Sequence, residues 1–146
     1  MKPKLKITGQ KELLKKLAAF GEEAERKVSL ITFNTAQEIA TKAAQNAPAN
    51  FGKLRQSINV EPNSAGKLFY EVNVNAVPIA AYVEFGTGAF VEVPPEWKDM
   101  AWQFYVNGKG WMQPQPYLYP AWRSGSATYE RDLEKLLTDL TNKFNR

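Results

Sequence analysis

The sequence predicts an α+β fold, a long N-terminal helix packed on a small, mostly antiparallel β-sheet and followed by a C-terminal helix. Three observations carry that prediction. A single apolar stripe recurs at helical spacing from Ala24 to Ala47, short β-rich runs follow between Gln56 and Phe85, and a second amphipathic stripe runs from Tyr129 to Phe144. With 146 residues, no internal repeat and no separating linker, residues 1–146 are expected to form one domain. A chain of this length can bury a core without disulfide or metal staples.

The elements follow in order. Leu5 and Ile7 alternate with lysines and stop at Thr8-Gly9, the pattern of a short edge strand that lysine guards against further pairing. Thr8 is a suitable N-cap for a first helix, with Leu13, Leu14, Leu17, Ala18 and Phe20 at helical spacing until Gly21 interrupts. Glu22 and Glu23 then place acid in the first turn of a second helix, where the macrodipole favours it. Its stripe is Ala24, Val28, Ile31, Thr35, Ile39, Ala43 and Ala47, and Pro48 ends it. Such a helix is ~39 Å long. It crosses a globule whose radius of gyration is ~15 Å, so a sheet is expected to cover its stripe.

Gln56 to Glu61, Lys67 to Asn75 and Ala80 to Phe85 read as the strands of that sheet. Asn63-Ser64-Ala65-Gly66 is a hairpin turn, and Val77-Pro78 separates the last run. From Thr87 to Trp122 the texture changes to Gly, Pro, Gln and aromatics, and all four tryptophans (Trp97, Trp102, Trp111 and Trp122) lie inside it. Pro94-Pro95-Glu96 suits a helix start, with Trp97, Ala101 and Phe104 or Tyr105 on a short helix that Asn107-Gly108-Lys109-Gly110 turns. Gln113 to Pro120 has three prolines and reads as an extended edge segment or loop. The closing helix turns Tyr129, Leu133, Leu136, Leu137, Leu140 and Phe144 to one narrow face.

Composition excludes much chemistry. The chain has no cysteine and no histidine. A thiolate or imidazole metal site, a Ser-His-Asp triad and a Cys-His pair are therefore out of reach, and no cofactor is expected. The net charge of +4 is unevenly placed. Residues 1–16 carry six lysines against Glu12, or +5, and the rest has thirteen basic and fourteen acidic residues, or −1. A solvated lysine-rich arm is the better reading of that head, and a DNA-contacting module is the alternative. No apolar run approaches the ~20 residues that cross a bilayer. The N-terminus lacks the apolar core of a signal peptide, so the expected location is inside the cell that makes the protein.

Carboxylates remain as the enzymatic device, as in a hydrolase with two acids across a cleft. Glu84, Glu92, Glu96 and Asp99 are the candidates. Glu84 stands between Val83 and Phe85, a setting that desolvates a carboxylate and raises its pKa. Its structural reading, a cap on the amides of Gly86 to Gly88, is preferred because nothing sets a second acid at a defined distance. Gly86-Thr87-Gly88 reads as a tight turn rather than a phosphate loop, since no Gly-Lys-Ser follows. The aromatics of 90–122 have too few neighbouring cations for base stacking and suit a core or an interface. So small a domain cannot hide four indoles, and part of the set is expected to face a partner.

Three blocks in order carry a resemblance. Ala47-Pro48 with Gly52-Lys53-Leu54-Arg55-Gln56-Ser57-Ile58 comes first, Ala81-Tyr82-Val83-Glu84-Phe85-Gly86-Thr87 second, and Gln115-Pro116-Tyr117-Leu118-Tyr119-Pro120-Ala121 third. Together with the long preceding helix they resemble the phage tail-component family typified by gene product ten of phage Hong Kong 97. Asn50-Phe51 departs from the Asp-Thr or Asp-Ser pair usual before the glycine, and 89–112 is a tryptophan-rich insertion. The resemblance implies a non-catalytic tail-completion or neck subunit that assembles with copies of itself into a ring at the head-tail junction. It implies contacts with other connector and tail proteins, no small-molecule substrate and no membrane, and DNA met only as it passes through the ring. Assembly would take place in the host bacterial cytoplasm.

Under that resemblance the expected structural and interface residues are these. Arg55 and Ser57 begin the sheet. Tyr82 and Phe85 anchor a strand to the helix, Glu84 satisfies turn amides or a neighbouring subunit, and Gly86, Thr87 and Gly88 make the turn. Pro116, Tyr117 and Pro120 hold an extended strap, Trp122 leads into the last helix, and Trp97 and Trp111 belong to the partner-facing insertion.

Overall fold

The structure, a computed structural model, describes residues 4–6, 11, 21–64, 66, 68–76, 78–88, 91–107 and 110–144. The first helix expected over 8–20 lies outside the described residues, apart from Lys11. Strand β1 is Lys4–Lys6 and helix α1 is Gly21–Asn46. A one-turn helix α2 (Gly52–Gln56) leads to β2 (Ile58–Pro62) and β3 (Tyr70–Val74). Helix α3 (Ile79–Phe85), a 3₁₀ turn (Pro95–Trp97), α4 (Lys98–Asn107) and α5 (Leu118–Phe144) complete the order. The fold is α+β, with the long helix against a small antiparallel sheet and a C-terminal helix.

The sheet runs β1-β3-β2, and both pairings are antiparallel. Register places Leu5, Val72 and Val60 in one row, with Lys4, Asn73 and Asn59 on one side of it and Lys6, Glu71 and Glu61 on the other. Val72, Asn73 and Val74 are all buried, so the end of the central strand is covered on both faces, with Asn73 Nδ2 donating to Glu61 Oε2 at 2.9 Å. Helix α1 buries Ala24, Val28, Thr32, Thr35, Ala36, Ile39, Ala40 and Ala43. The expected sheet covers only part of this stripe; α5 lies along more of it. Small residues on α1 permit the close approach. A Cβ on Gly125 would stand 2.3 Å from Ile39 Cγ1, so glycine leaves the notch that the isoleucine fills. Thr32 Oγ1 hydrogen-bonds the Val28 carbonyl at 2.8 Å and meets the Tyr129 hydroxyl at 2.9 Å, which ties α1 to α5 inside the core.

Three expectations are corrected. Ala80 to Phe85 is a helix and not a strand: Ala80, Ala81, Val83, Glu84 and Phe85 are buried, while Ile79 and Tyr82, three residues apart, share an exposed side. The exposed face is itself apolar, so the run carries no polar stripe and its residue pattern does not distinguish a strand from a helix. Arg55 and Ser57 do not begin the sheet. Arg55 lies on α2 and Ser57 caps its C-terminus, with β2 starting at Ile58. The closing helix begins at Leu118 rather than near Tyr129, so Pro120 and Trp122 lie within it. Proline is harmless in a first turn, where its missing N–H has no intrahelical partner to lose.

Candidate functional site

The second and third sequence blocks meet at one junction, to which Asn46, just before the first block, is also tied, and backbone polar groups explain why each residue type is there. Helix α1 ends with carbonyls that have no intrahelical donor. Arg55 supplies donors: its Nε and Nη2 reach the Ala47 carbonyl at 2.9 and 2.6 Å, a guanidinium fork on the negative end of the helix dipole. Ser57 Oγ donates to the Leu54 carbonyl at 2.8 Å and closes α2 in the same way. Phe51 stands at the N-cap of α2 and offers no side-chain acceptor, the local consequence of the unusual Asn50-Phe51 pair. Asn46 Nδ2 donates to the Tyr117 carbonyl at 3.3 Å, which links the end of α1 to the start of α5.

Glu84 is the centre of the junction. It is only 2% exposed. Its Oε2 accepts the N–H groups of Tyr117 and Leu118 at 2.9 Å each, and Oε1 accepts that of Tyr119 at 3.0 Å. These amides open α5 and have no intrahelical acceptor, so one carboxylate caps the first turn of a helix more than thirty residues away in sequence. The expected cap on the Gly86 to Gly88 amides is therefore corrected. Burial raises the Glu84 pKa, and the three amide bonds oppose the rise without overcoming it. The same burial and the Glu84 charge push the Tyr117 phenol up, and its hydroxyl donates to the Ala80 carbonyl at 3.2 Å.

The segment before α5 is pinned to α3. Gln115 N–H donates to the Val83 carbonyl at 2.8 Å, and Thr87 exchanges backbone hydrogen bonds with Met112 at 3.0 and 3.3 Å. Gly86 has φ +63°, and a Cβ there would lie 2.4 Å from the Met112 carbonyl oxygen and 2.6 Å from Pro114 N. Both the backbone conformation and the lack of space require glycine. Gly88 also has positive φ, and Thr87 Oγ1 donates to the Gly110 carbonyl at 3.0 Å. Pro116 precedes α5 in extended chain, whereas Tyr117 is buried against the first turn and Pro120 is inside it, so the expected strap is limited to the residues before Leu118.

A second region lies beside the junction. Phe85, Trp97 and Phe104 form an aromatic cluster with centroids 5.9 and 5.6 Å from Phe85, and Tyr82 meets Phe104 edge-on at 5.1 Å. Trp97, expected on a partner-facing insertion, is instead buried there in the molecule's own core, where it packs edge-on against Phe85. Helix α4 is held by these rings but contains no buried residue of its own. Its Trp102 is 55% exposed and its Val106 nearly as much, with Ile79 and Tyr82 of α3 also open to solvent. Trp111 is 70% exposed. Trp122 is partly covered and stacks on Tyr119 at 5.8 Å. Trp102 is one of the four indoles read from the sequence, whereas Val106 and Ile79 are not marked there; the apolar character of both sides of 98–107 is the signal for them.

The carboxylates do not assemble into a pair around Glu84, because both of its oxygens are taken by amides. Glu92, Glu96 and Asp99 are exposed on the insertion, and Glu92 contacts Arg123 at 3.5 Å. Among the described residues no group of three Asp or Glu side chains could hold a metal ion, and no helix is long and apolar enough to cross a membrane.

The site is thus a helix junction capped by one buried carboxylate, beside a helix whose Trp102 and Val106 are exposed. Comparison with protein families then gives the chain's affiliation. Residues 11–86 match the family model described as "Bacteriophage HK97-gp10, putative tail-component", and the chain belongs to that family of phage structural proteins. Searches of curated proteins and of solved structures returned no match.

Proposed function

We propose that the protein is a non-catalytic subunit of the head-tail junction, a tail-completion or neck component that associates with copies of itself in a ring and with neighbouring connector and tail proteins. One observation carries this reading. Helix α4 and its surroundings leave Trp102, Trp111, Val106, Ile79 and Tyr82 uncovered. Exposed aromatic clusters of this kind mark surfaces that a partner covers, since tryptophan and tyrosine bury much area at low conformational cost. The face belongs to the insertion 89–112 and its support on α3, and the insertion lies beyond the matched region. It therefore suits a contact particular to this chain, mounted on a common frame.

In this reading residues 1–146 act as one unit, assembled in the host cytoplasm and resident at the virion head-tail junction, with DNA met only in passage through the ring. The test is complementation of a phage deleted for this gene, with tail joining scored by electron microscopy and self-association by mass photometry. The wild-type chain restores joined particles and forms a closed oligomer, while Trp102→Ser/Trp111→Ser leaves heads and tails separate. Joined particles at wild-type yield without the gene would overturn the proposal.

A further inference from the structure

Among the described residues the three-stranded sheet ends on two different borders with no further strand paired to them, β1 on one side and β2 on the other. On β2 the orientation of the backbone groups follows from the ladder. Asn75 N–H donates to the Ser57 carbonyl at 3.2 Å and Asn63 N–H to the Phe69 carbonyl at 2.8 Å, so the odd-numbered residues of β2 turn their backbone groups toward β3. The N–H and C=O of Ile58 and Val60 therefore face outward. A groove of about 450 Å³ runs along this border, floored by Ala40, Thr41 and Ala44 of α1 and walled by Arg55, Ile58 and Val60. On the helix side Ala40, Thr41 and Ala44 form a low floor between the longer Gln37 and Gln45.

We propose, resting on the ring reading above, that the sheet continues from copy to copy, with β1 of one subunit lying in the groove beside β2 of the next. Two features of the chain select this occupant. Lysines at 4 and 6 disfavour pairing of β1 with another β1, whereas β2 carries the exposed acid Glu61 in the row that Lys6 would extend, on a border whose groove Arg55 also lines. Register also places Leu5 in the row of Val72 and Val60, so a continued sheet sets the apolar residue of the incoming β1 at the row that adjoins Ala40 and Ala44. Within a subunit β1 and β2 run in the same direction, because each is antiparallel to β3. Rotation about a ring axis preserves that direction, so the contact between subunits is a parallel pair. Joining two unlike borders is a head-to-tail contact, the kind that generates rings.

The absence of natural cysteine permits a direct test with paired cysteines on one row, Lys6→Cys/Glu61→Cys and Lys4→Cys/Asn59→Cys. Inside one subunit these positions are two strand spacings apart, ~9.6 Å, beyond the ~7 Å that a disulfide can bridge. Oxidation of assembled protein should give a covalent ladder extending past the dimer on a non-reducing gel. Val60→Pro, which removes one outward N–H, should raise the concentration for half-assembly at least about tenfold, the worth of one to two backbone hydrogen bonds. Wild-type rings seen by mass photometry with no cross-link from either pair, or with cross-links that stop at dimers, would overturn the continued sheet and leave the ring intact. A wild-type chain that stays monomeric alone and with its tail partners removes the ring reading and this inference with it.

Discussion

At the residue scale the junction depends on a carboxylate that accepts three amides in a buried site. Glu84→Gln keeps one acceptor oxygen but turns an NH₂ group toward donors, leaving at least one amide unsatisfied, a loss of about 1–3 kcal/mol. Chemical denaturation at pH 7 measures it, and an unchanged midpoint would refute the capping role. The pH dependence has a definite sign. The folded-state pKa lies above the ordinary 4.5, so the Glu84 contribution is complete below that value and declines as pH rises through the folded value. The gap in Tm between wild type and Glu84→Gln should narrow from pH 4 to pH 8. A widening gap would mean that the amide cradle, rather than desolvation, governs the titration. Glu23 has the opposite sense. Lys143 and Lys27 hold its pKa low, so its stabilisation is present above 4.5 and disappears as pH falls through the lowered value.

At the element scale, two glycines show what the packing of helices demands. Gly125→Ala ordinarily favours a helix by up to ~1 kcal/mol. Here the new Cβ overlaps Ile39, and overpacking of about 1–3 kcal/mol outweighs that gain. In an Ile39→Ala background the obstruction is gone and the same change should become stabilising, a reversal of sign that a double-mutant cycle reads directly. Gly86→Val meets backbone on both counts and should lower Tm sharply or prevent folding; normal melting would contradict the turn geometry. The same glycine shows why sequence reading stopped short. The helix of Gly21–Asn46 was legible from its stripe, its acidic first turn and Pro48, and the β2-β3 hairpin from its turn residues. The start of α5 was obscured by Pro120 and Gly125, residues that disfavour a helix until their partners are known. The motif blocks were legible, but the meeting point of the second and third was not, since a carboxylate at 84 and amides at 117–119 are joined only by tertiary folding.

For the whole molecule, the decisive contrast is between residues that hold the fold together and large apolar residues that stay exposed on it. Glu84, Arg55, Gly86 and Gly125 belong to the first group, and their loss lowers stability before any assembly is measured. Trp102 and Trp111 belong to the second. Both are more than half exposed, so Trp111→Ser should lower unfolding free energy by about 1 kcal/mol or less and Trp102→Ser, which also loses a ring contact with Tyr105, by about 1–2 kcal/mol. If copies of the chain or other tail proteins cover these rings, the same substitutions remove anchor residues of the kind whose truncation costs ~2 kcal/mol or more, about a thirtyfold or greater loss of affinity. Melting curves and association isotherms on the same protein samples separate the two effects. A melting transition lowered only by these amounts with association lost assigns the rings to a partner; the same transition with association retained shows that the uncovered aromatic face has no part in assembly.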